Sequence, residues 1–302
     1  MKYALTSIST TAQNIPLAIR AYRLLMSLIM GLLLVLSTPN AQADDTLSTR
    51  SATSRTHLKT IIVDNYQPYT FLNDKGDPDG FSVDIARAVA QTKGLDLEIR
   101  ADSWSLAMKE LEAGNIDLLP MMAFSKERDI TFDFSVPHTI AYDAIFSNKG
   151  NKRLSSLKDL SGKTVIVMNK DVAHSYLLSS GLSETMNLKL VDTLPDALKQ
   201  LDAGKSDAAI MPNLVGMVTA KRLQLLNINQ SPTIIEEYTR PFSFAVKDGN
   251  QALLERLNQG LSIVKATGQY DKIYQKWFGC SSFGATAISC EIGRIERAMP
   301  LT

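Results

Sequence analysis

The sequence predicts an α/β protein built as two similar lobes with a ligand cleft between them. Three observations predict it. Strand-like apolar runs alternate with helical periods from residue 58 to residue 135, the order of parallel strands joined by helices. One such unit recurs: Leu106–Asp117 (LAMKELEAGNID) parallels Ala197–Asp207 (ALKQLDAGKSD), each an amphipathic helix, an Ala-Gly stop, a polar step, then Asp and a buried strand. Finally, the 302 residues are 45% hydrophobic and 21% charged, ordinary globular composition with enough apolar matter for one or two cores.

The chain opens on a segment with its own logic. Residues 1–43 carry Lys2, Arg20 and Arg23 and no acid, and Leu24–Leu36 is a 13-residue apolar run followed by a small-residue Ala-x-Ala site ending at Ala43. That is a signal peptide with cleavage expected after Ala43, and it directs the mature chain to a periplasm. The run is shorter than the ~20 residues of a membrane span, while its long cationic lead keeps an uncleaved anchor open as the alternative. Asp44–Thr56 is polar and Ser/Thr-rich, a disordered leader.

From there each element follows its pattern. Leu58–Asp64 is a β-branched strand, Asn73–Gly80 a turn cluster, Phe81 to Gly94 a helix with Val83, Ile85, Ala86, Val89 and Ala90 on one face. Leu95–Arg100 alternates as a strand and Trp104–Glu112 is a helix stopped by Gly114. Asn115–Ser135 then holds an apolar strand, Ile116–Met122, a polar step at Ser125-Lys126-Glu127-Arg128 that resembles a helix start, and an aromatic run, Phe132-Asp133-Phe134. A buried strand delivering an arginine onto a helix start can hold an anion; a structural ion pair of Arg128 with Glu127 or Asp133 is the plain alternative. Further on, Ala141–Ser147, Thr164–Met168, Leu188–Val191, Ala208–Met211, Thr233–Ile235 and Phe242–Val246 read as strands. Leu154–Lys163 reads as a short helix and turn, and Asp171–Leu178, Leu194–Leu201 and Leu214–Leu223 as helices. Gln251–Phe278 reads as a long helix with Gly268 as its candidate break.

Charge and chemistry exclude several classes. Formal net charge is +1, and setting aside the three bases of residues 1–43 leaves 29 basic against 31 acidic residues, a body of net −2. Such a near-neutral body argues for a small-molecule or protein partner and against nucleic acid. Cys280 and Cys290, the only cysteines, close a disulfide in an oxidising compartment or remain two free thiols; both readings stand. His57, His138 and His174 do not cluster with them at ligand spacing, so no metal is expected. Gly162-Lys163-Thr164 lacks the earlier glycine of a phosphate-binding loop, and no G-x-S-x-G occurs.

From Lys59 to Gly279, about three quarters of the chain resembles the bacterial extracellular solute-binding proteins of family 3, the periplasmic amino-acid-binding type. The matching pieces, in order, are Asp64…Pro68-Tyr69-Thr70-Phe71, Gly80-Phe81-Ser82-Val83-Asp84-Ile85, Ile116-Asp117-Leu118-Leu119, Glu127-Arg128…Phe132-Asp133-Phe134-Ser135, Leu157–Lys163 and Gly268–Gly279. The Trp104 context is most similar to the sensory versions of this fold, which continue into a membrane helix; Gly279–Thr302 contains no apolar run of that length.

The resemblance implies a two-lobed periplasmic-binding-protein fold of type II, each lobe a mostly parallel sheet flanked by helices, closing on a ligand by hinge motion. Lobe 1 would comprise 57–146 and 239–279, lobe 2 would be 147–238, and 280–302 a C-terminal tail. The crossovers would lie near Ala144–Ser147 and Tyr238–Phe242. By resemblance Arg128 clamps a ligand carboxylate, Tyr66 and Trp104 sandwich the ligand, and the backbone of Met121, Met122 and Ala123 holds it. Asn169 and Asp171 fall in a turn whose amides face the carboxylate, though the usual glycines are missing. Pro212, with Asn213 beside it, stands where an aspartate accepts the ammonium, and Asp64 matches an early acidic position or caps its own turn. Without that acceptor an α-amino acid is disfavoured, because an unpaired ammonium in a closed cleft is costly.

The implied function is a monomeric, cofactor-free periplasmic solute-binding protein that delivers a small carboxylate-bearing ligand to an ABC-type permease. The alternative is a sensing module for a membrane kinase or cyclase. A dehydratase-like enzyme, with Asp64, Asp171 or His174 as acids, is the remote third reading, and nothing in the sequence brings those three together.

Overall fold

The computed structural model of the chain describes residues 56–151 and 154–279. The expected signal segment 1–43 and the tail with Cys280 and Cys290 lie outside the described residues, as does the leader except for Thr56, which already belongs to the first strand.

The first lobe begins with β1 (Thr56–Val63), the short hairpin of β2 (Phe71–Leu72) and β3 (Pro78–Asp79), and α1 (Phe81–Lys93). It continues through β4 (Leu95–Asp102), α2 (Trp104–Ala113), β5 (Leu118–Ala123), β6 (Phe132–Phe134) and β7 (Thr139–Ala141). The second lobe holds β8 (Asp143–Asn148), β9 (Thr164–Met168), α3 (Val172–Ser179), β10 (Asn187–Val191), α4 (Leu194–Asp202), β11 (Ala208–Pro212), α5 (Asn213–Arg222) and β12 (Ile228–Ile234). The chain then returns to the first lobe as β13 (Arg240–Lys247), α6 (Gln251–Ala266) and α7 (Gln269–Phe278).

The first sheet runs β4-β1-β5-β13-β6, with β7 also on β13, and the second runs β10-β9-β11-β8-β12. Both are mixed rather than mostly parallel: β1 pairs in parallel with β4 and β5, and β9 with β10 and β11, but β13 and β8 run antiparallel to every neighbour. The reason is the double crossing, since a chain that leaves the first lobe and later returns must enter each sheet once against the local direction. Ala144–Ser147, expected at the first crossover, lie inside β8 of the second sheet, so the 57–146 limit for lobe 1 overshoots and Tyr142 is the connection. The return passes through Ile235–Thr239, whereas most of the expected Tyr238–Phe242 lies inside β13.

The recurring Asp has one job in both lobes. The Asp117 carboxylate accepts from the Lys59 amide at 2.7 Å while the Asp117 amide donates to the Lys59 carbonyl at 2.9 Å. Asp207 does the same with Thr164, at 2.8 and 2.9 Å. Each Asp therefore locks the start of β5 or β11 onto its parallel neighbour, β1 or β9, satisfying backbone groups the ladder has not yet reached.

Side-chain alternation along the strands builds two faces. Leu58 joins the cluster under α1 and α6, whereas Ile61 faces Ala107 and Leu111 of α2. In the second sheet Val165, Val167 and Ile210 meet Ala173 and Leu177 of α3, while Ile166, Met168 and Met211 meet α4 and α5. β9 and β11 are nearly all apolar because both of their faces are covered. Gly80 closes the turn into α1 at φ 126°, where a Cβ would lie 2.2 Å from the Tyr69 carbonyl oxygen, so only glycine fits. The long C-terminal helix breaks at Gly268, which takes φ 70° and starts α7. The helix expected at Ser125–Arg128 is only a 3₁₀ turn, Arg128–Ile130. Among the described residues, no helix is long and apolar enough to cross a membrane.

Candidate ligand site between the lobes

The two connections between the sheets meet at a buried arginine. Arg240 is the first residue of β13, opposite Ala141 of β7, and its side chain is 1% exposed. Its Nε and Nη2 donate to the Asp143 carboxylate, and Nη1 and Nη2 donate to Asp171 at 2.6 and 2.7 Å. Tyr238 adds a hydroxyl donor to Asp143 at 2.6 Å. Both crossovers and the head of α3 are thus stitched together through one guanidinium, whose planar fork suits two carboxylates at once. Burial pushes the Asp143 carboxyl up, against the pull of Arg240. At Asp171 the upward push of burial is outweighed by Arg240 and then Arg128, which hold it below the usual carboxylate range.

Arg128 enters from the first lobe. Its Nη1 donates to the Ala123 carbonyl at 2.7 Å and its Nη2 to the Lys170 carbonyl of the second lobe at 2.9 Å. The guanidinium carbon stands 5.0 Å from the centre of the Trp104 ring, and Trp104 Nε1 also donates to the Lys170 carbonyl, at 3.3 Å. Burial lowers the Arg128 pKa to about 10, with Asp171 pulling the other way, so it stays charged at neutral pH. Among the described residues no carboxylate lies within ion-pair distance of it. The expected alternative, an ion pair with Glu127 or Asp133, does not form: Asp133 instead accepts from the Gly249 amide and Gln251 Nε2.

Arg128, Asp171 and Arg240 line a cavity of about 20 Å³, room for roughly one water. Its walls are otherwise apolar and aromatic, from Val63, Tyr66, Trp104, Met121, Ala123 and Phe242 in the first lobe and Met168 in the second.

Of the ten candidate residues, Tyr66, Trp104, Met121, Ala123, Arg128 and Asp171 converge on this cavity. Four do not line it. Asp64 caps its own turn, accepting from the Asn65 amide and side chain and from the Leu72 amide. Met122 points to the opposite face of β5, into the cluster with Ile61 and Leu111. Asn169 donates its amide to the Val191 carbonyl, and Asn213 accepts from the Leu214 amide. The turn at 169–171 also departs from the expectation that its amides face a carboxylate. All three amides are taken, by the Val191 carbonyl, His174 Nδ1 and the Met168 carbonyl, and the Lys170 carbonyl points into the cleft instead. Lys170 itself adopts φ 58°, which supplies the turn without glycine. Asp64, Asp171 and His174, the acids of the remote enzyme reading, are each engaged separately.

Sequence reasoning missed Arg240, Asp143, Tyr238, Phe242, Met168 and Val63. The signal for Arg240 was present: it is a lone charge at the head of an apolar strand, RPFSFAV, and such a charge is buried only when paired.

Comparison with known proteins agrees with this architecture. The chain is 28% identical over 222 residues to a probable histidine-binding protein of Neisseria gonorrhoeae, covering 70% of this chain and 80% of that protein. It is 26% identical to the L-cystine-binding protein TcyJ of Escherichia coli, covering 71% and 79%. Among solved structures it is similar to a histidine kinase sensor domain with similarity to periplasmic binding proteins, at TM-score 0.69 and 32% identity, covering 75% of this chain and 96% of that one. An ancestral arginine-binding protein bound to arginine aligns at TM-score 0.68 and 30% identity, covering 74% and 99%. The family sequence pattern matches residues 58–280, and the chain belongs to the bacterial extracellular solute-binding proteins, family 3.

Proposed function

We propose that this protein captures a small carboxylate-bearing, amino-acid-sized ligand in the cleft by lobe closure and delivers it, in the periplasm, to an ABC-type permease. The observation that carries the reading is Arg128, a half-buried cation between the lobes whose guanidinium hydrogen-bond partners are two backbone carbonyls, of Ala123 and Lys170. A carboxylate is the better partner for that fork: it displaces the Lys170 carbonyl and accepts two parallel N–H bonds, while Ala123 keeps the guanidinium aimed. Tyr66, Trp104 and Phe242 provide the apolar walls for the ligand body. The relatives named as a probable histidine-binding protein and an L-cystine-binding protein support a ligand of this size. Thermal-shift and calorimetric screens of amino acids and organic acids test the reading: some carboxylate must stabilise the wild type, and Arg128→Ala must lose that response. No response from any carboxylate would overturn it.

A second reading is that the chain senses the ligand for a membrane kinase or cyclase rather than importing it. The similarity to a kinase sensor domain favours it. The flanking reading frames separate the two: a permease and an ATPase point to import, a kinase or cyclase to sensing.

A further inference from the structure

We infer that Asp171 is the specificity-determining acid of the cleft: its carboxylate, on the second lobe, receives an ammonium that the ligand carries beside the carboxylate clamped by Arg128 of the first lobe. The inference rests on the reading of Arg128 as the carboxylate clamp. It makes the ligand a compact zwitterion with an otherwise uncharged body. It also moves the ammonium's acceptor from the end of β11, where Pro212 stands, to the turn before α3.

The end of β11 does not supply the acceptor. Pro212 has no carboxylate, and Oδ1 of Asn213 is spent on the Leu214 amide. Asp171 does supply one. A single guanidinium, that of Arg240, stands between Asp143 and Asp171, so the buried triad keeps one negative charge uncancelled. Asp143 is turned to Nε and Nη2 of Arg240 and to the Tyr238 hydroxyl, whereas Asp171 lines the cavity. Against the push of burial, Arg240 and Arg128 hold Asp171 below the usual carboxylate range, so it is ionised at neutral pH. Arg240 takes one position on each of its oxygens and the Val172 amide takes a third. An ionised carboxylate offers about four lone-pair positions, which leaves one for a ligand. Across the same cavity Arg128 brings one positive charge from the first lobe. A zwitterion laid between the two alternates in sign, from Arg128 to its carboxylate and from its ammonium to Asp171, and neither end is left unpaired. A plain carboxylate answers Arg128 alone and covers the spare acceptor of Asp171 with apolar surface, which costs desolvation. Because both protein charges line one small cavity, the two ligand charges sit close together, as on a single α-carbon. The remaining walls are apolar and aromatic and bring no further charge, so the body of the ligand carries none.

The experiment is calorimetric titration of the mature chain with matched pairs that differ only in the amino group: alanine and propanoate, 2-aminobutanoate and butanoate, phenylalanine and 3-phenylpropanoate. The expected result is that in at least one pair the amino member binds tenfold or more tightly than its desamino partner. A smaller or reversed preference in every pair that binds would overturn the inference and leave the carboxylate clamp standing. Binding of neither member of any pair would overturn both. Glutamate and lysine should bind more weakly than the best of the three neutral amino acids; tighter binding of either would overturn the uncharged body. Asp171→Asn should lose the preference for the amino member, and an unchanged ratio in the folded variant would take the role from Asp171. Where that variant does not fold, carbon-13 spectra of the wild type decide. The Asp171 carboxyl resonance should move on titration with the amino member and not with its desamino partner; a resonance that moves with neither, or equally with both, would take the role from Asp171 in the same way.

Discussion

Arg240 and Asp171 face each other through two parallel hydrogen bonds of 2.6 and 2.7 Å, both side chains out of solvent, with Asp143 on the other edge of the same guanidinium. Arg240 belongs to β13 of the first lobe, whereas Asp143 opens β8 and Asp171 precedes α3 in the second. The pair therefore fastens one lobe to the other at the hinge itself, independently of any contact across the mouth of the cleft. Arg128 and Trp104 make that outer contact, both to the Lys170 carbonyl. The inner tie is ionic and fully desolvated; the outer one consists of two hydrogen bonds to a single oxygen. Opening should break the outer one first.

Arg240→Met should cost stability heavily. Removing one member of a buried ion pair leaves the others unsolvated and unpaired, a loss of about 3–5 kcal/mol. Adding Asp143→Asn and Asp171→Asn removes the stranded charges and should recover part of that loss. Urea unfolding of the three proteins at neutral pH checks the order: wild type, then the triple variant, then the single. If the single variant matches wild type, the triad contributes nothing to the fold.

Arg128→Ala should behave oppositely. No carboxylate is left unpaired by its removal, so the unliganded chain should lose little more than the packing over Trp104 and two hydrogen bonds. Ligand affinity should fall by roughly 1.5–3 kcal/mol, the worth of hydrogen bonds to a charged group, or about 10- to 150-fold. Calorimetry on the ligand found by screening checks this against the unfolding midpoint, and a large stability loss with unchanged affinity would refute it.

The fold was legible where local pattern and structure share a cause. Asp117 and Asp207 stand out as repeated residues because each repeats the same backbone bridge. Gly268 breaks the last helix because only a residue at ease with positive φ turns the chain there. The six candidates that reach the cavity come from an ordered set of motifs. What remained illegible depends on partners far along the chain. Arg240 meets residues 69 and 97 positions away, and no period or spacing encodes such a meeting. Asp171 was placed in the right turn but with the wrong role, since its carboxylate, rather than the turn amides, faces the cleft floor. Lys170 hid the turn by adopting a glycine-like backbone without being glycine.

Gly216→Ala should destabilise the second lobe. A Cβ at this position of α5 would stand 2.2 Å from Cζ of Phe146, which is buried in the middle of β8 and cannot swing away. The helix itself would gain about 1 kcal/mol from the exchange, but overpacking a caged ring costs about 1–3 kcal/mol. The clash should win, lowering the thermal midpoint by a few degrees. Phe146→Leu in the same chain makes room and should restore part of the loss; a variant as stable as wild type would mean the helix can shift to absorb the methyl.

His138 should make the protein acid-sensitive between pH 6.5 and pH 4. The ring is 1% exposed, packed against Phe81 and Phe244, and bonded through Nε2 to the Pro120 carbonyl at 3.0 Å. Burial lowers its pKa from 6.5 to about 4; the Pro120 carbonyl opposes the shift and the nearby Lys265 ammonium adds to it. Above pH 6.5 the imidazole is neutral whether the chain is folded or not, and stability does not depend on it. As the pH falls below 6.5 the unfolded chain takes up a proton that the folded one refuses, so stability is lost progressively until the folded ring titrates near pH 4. The full loss for such a shift is roughly 3 kcal/mol. His138→Gln keeps a donor for Pro120 and cannot ionise. Urea midpoints at pH 7.5, 5.5 and 4.5 should fall more steeply for wild type than for this variant. The carboxylates common to both proteins cancel in the comparison, and parallel curves would show that His138 is not the group responsible.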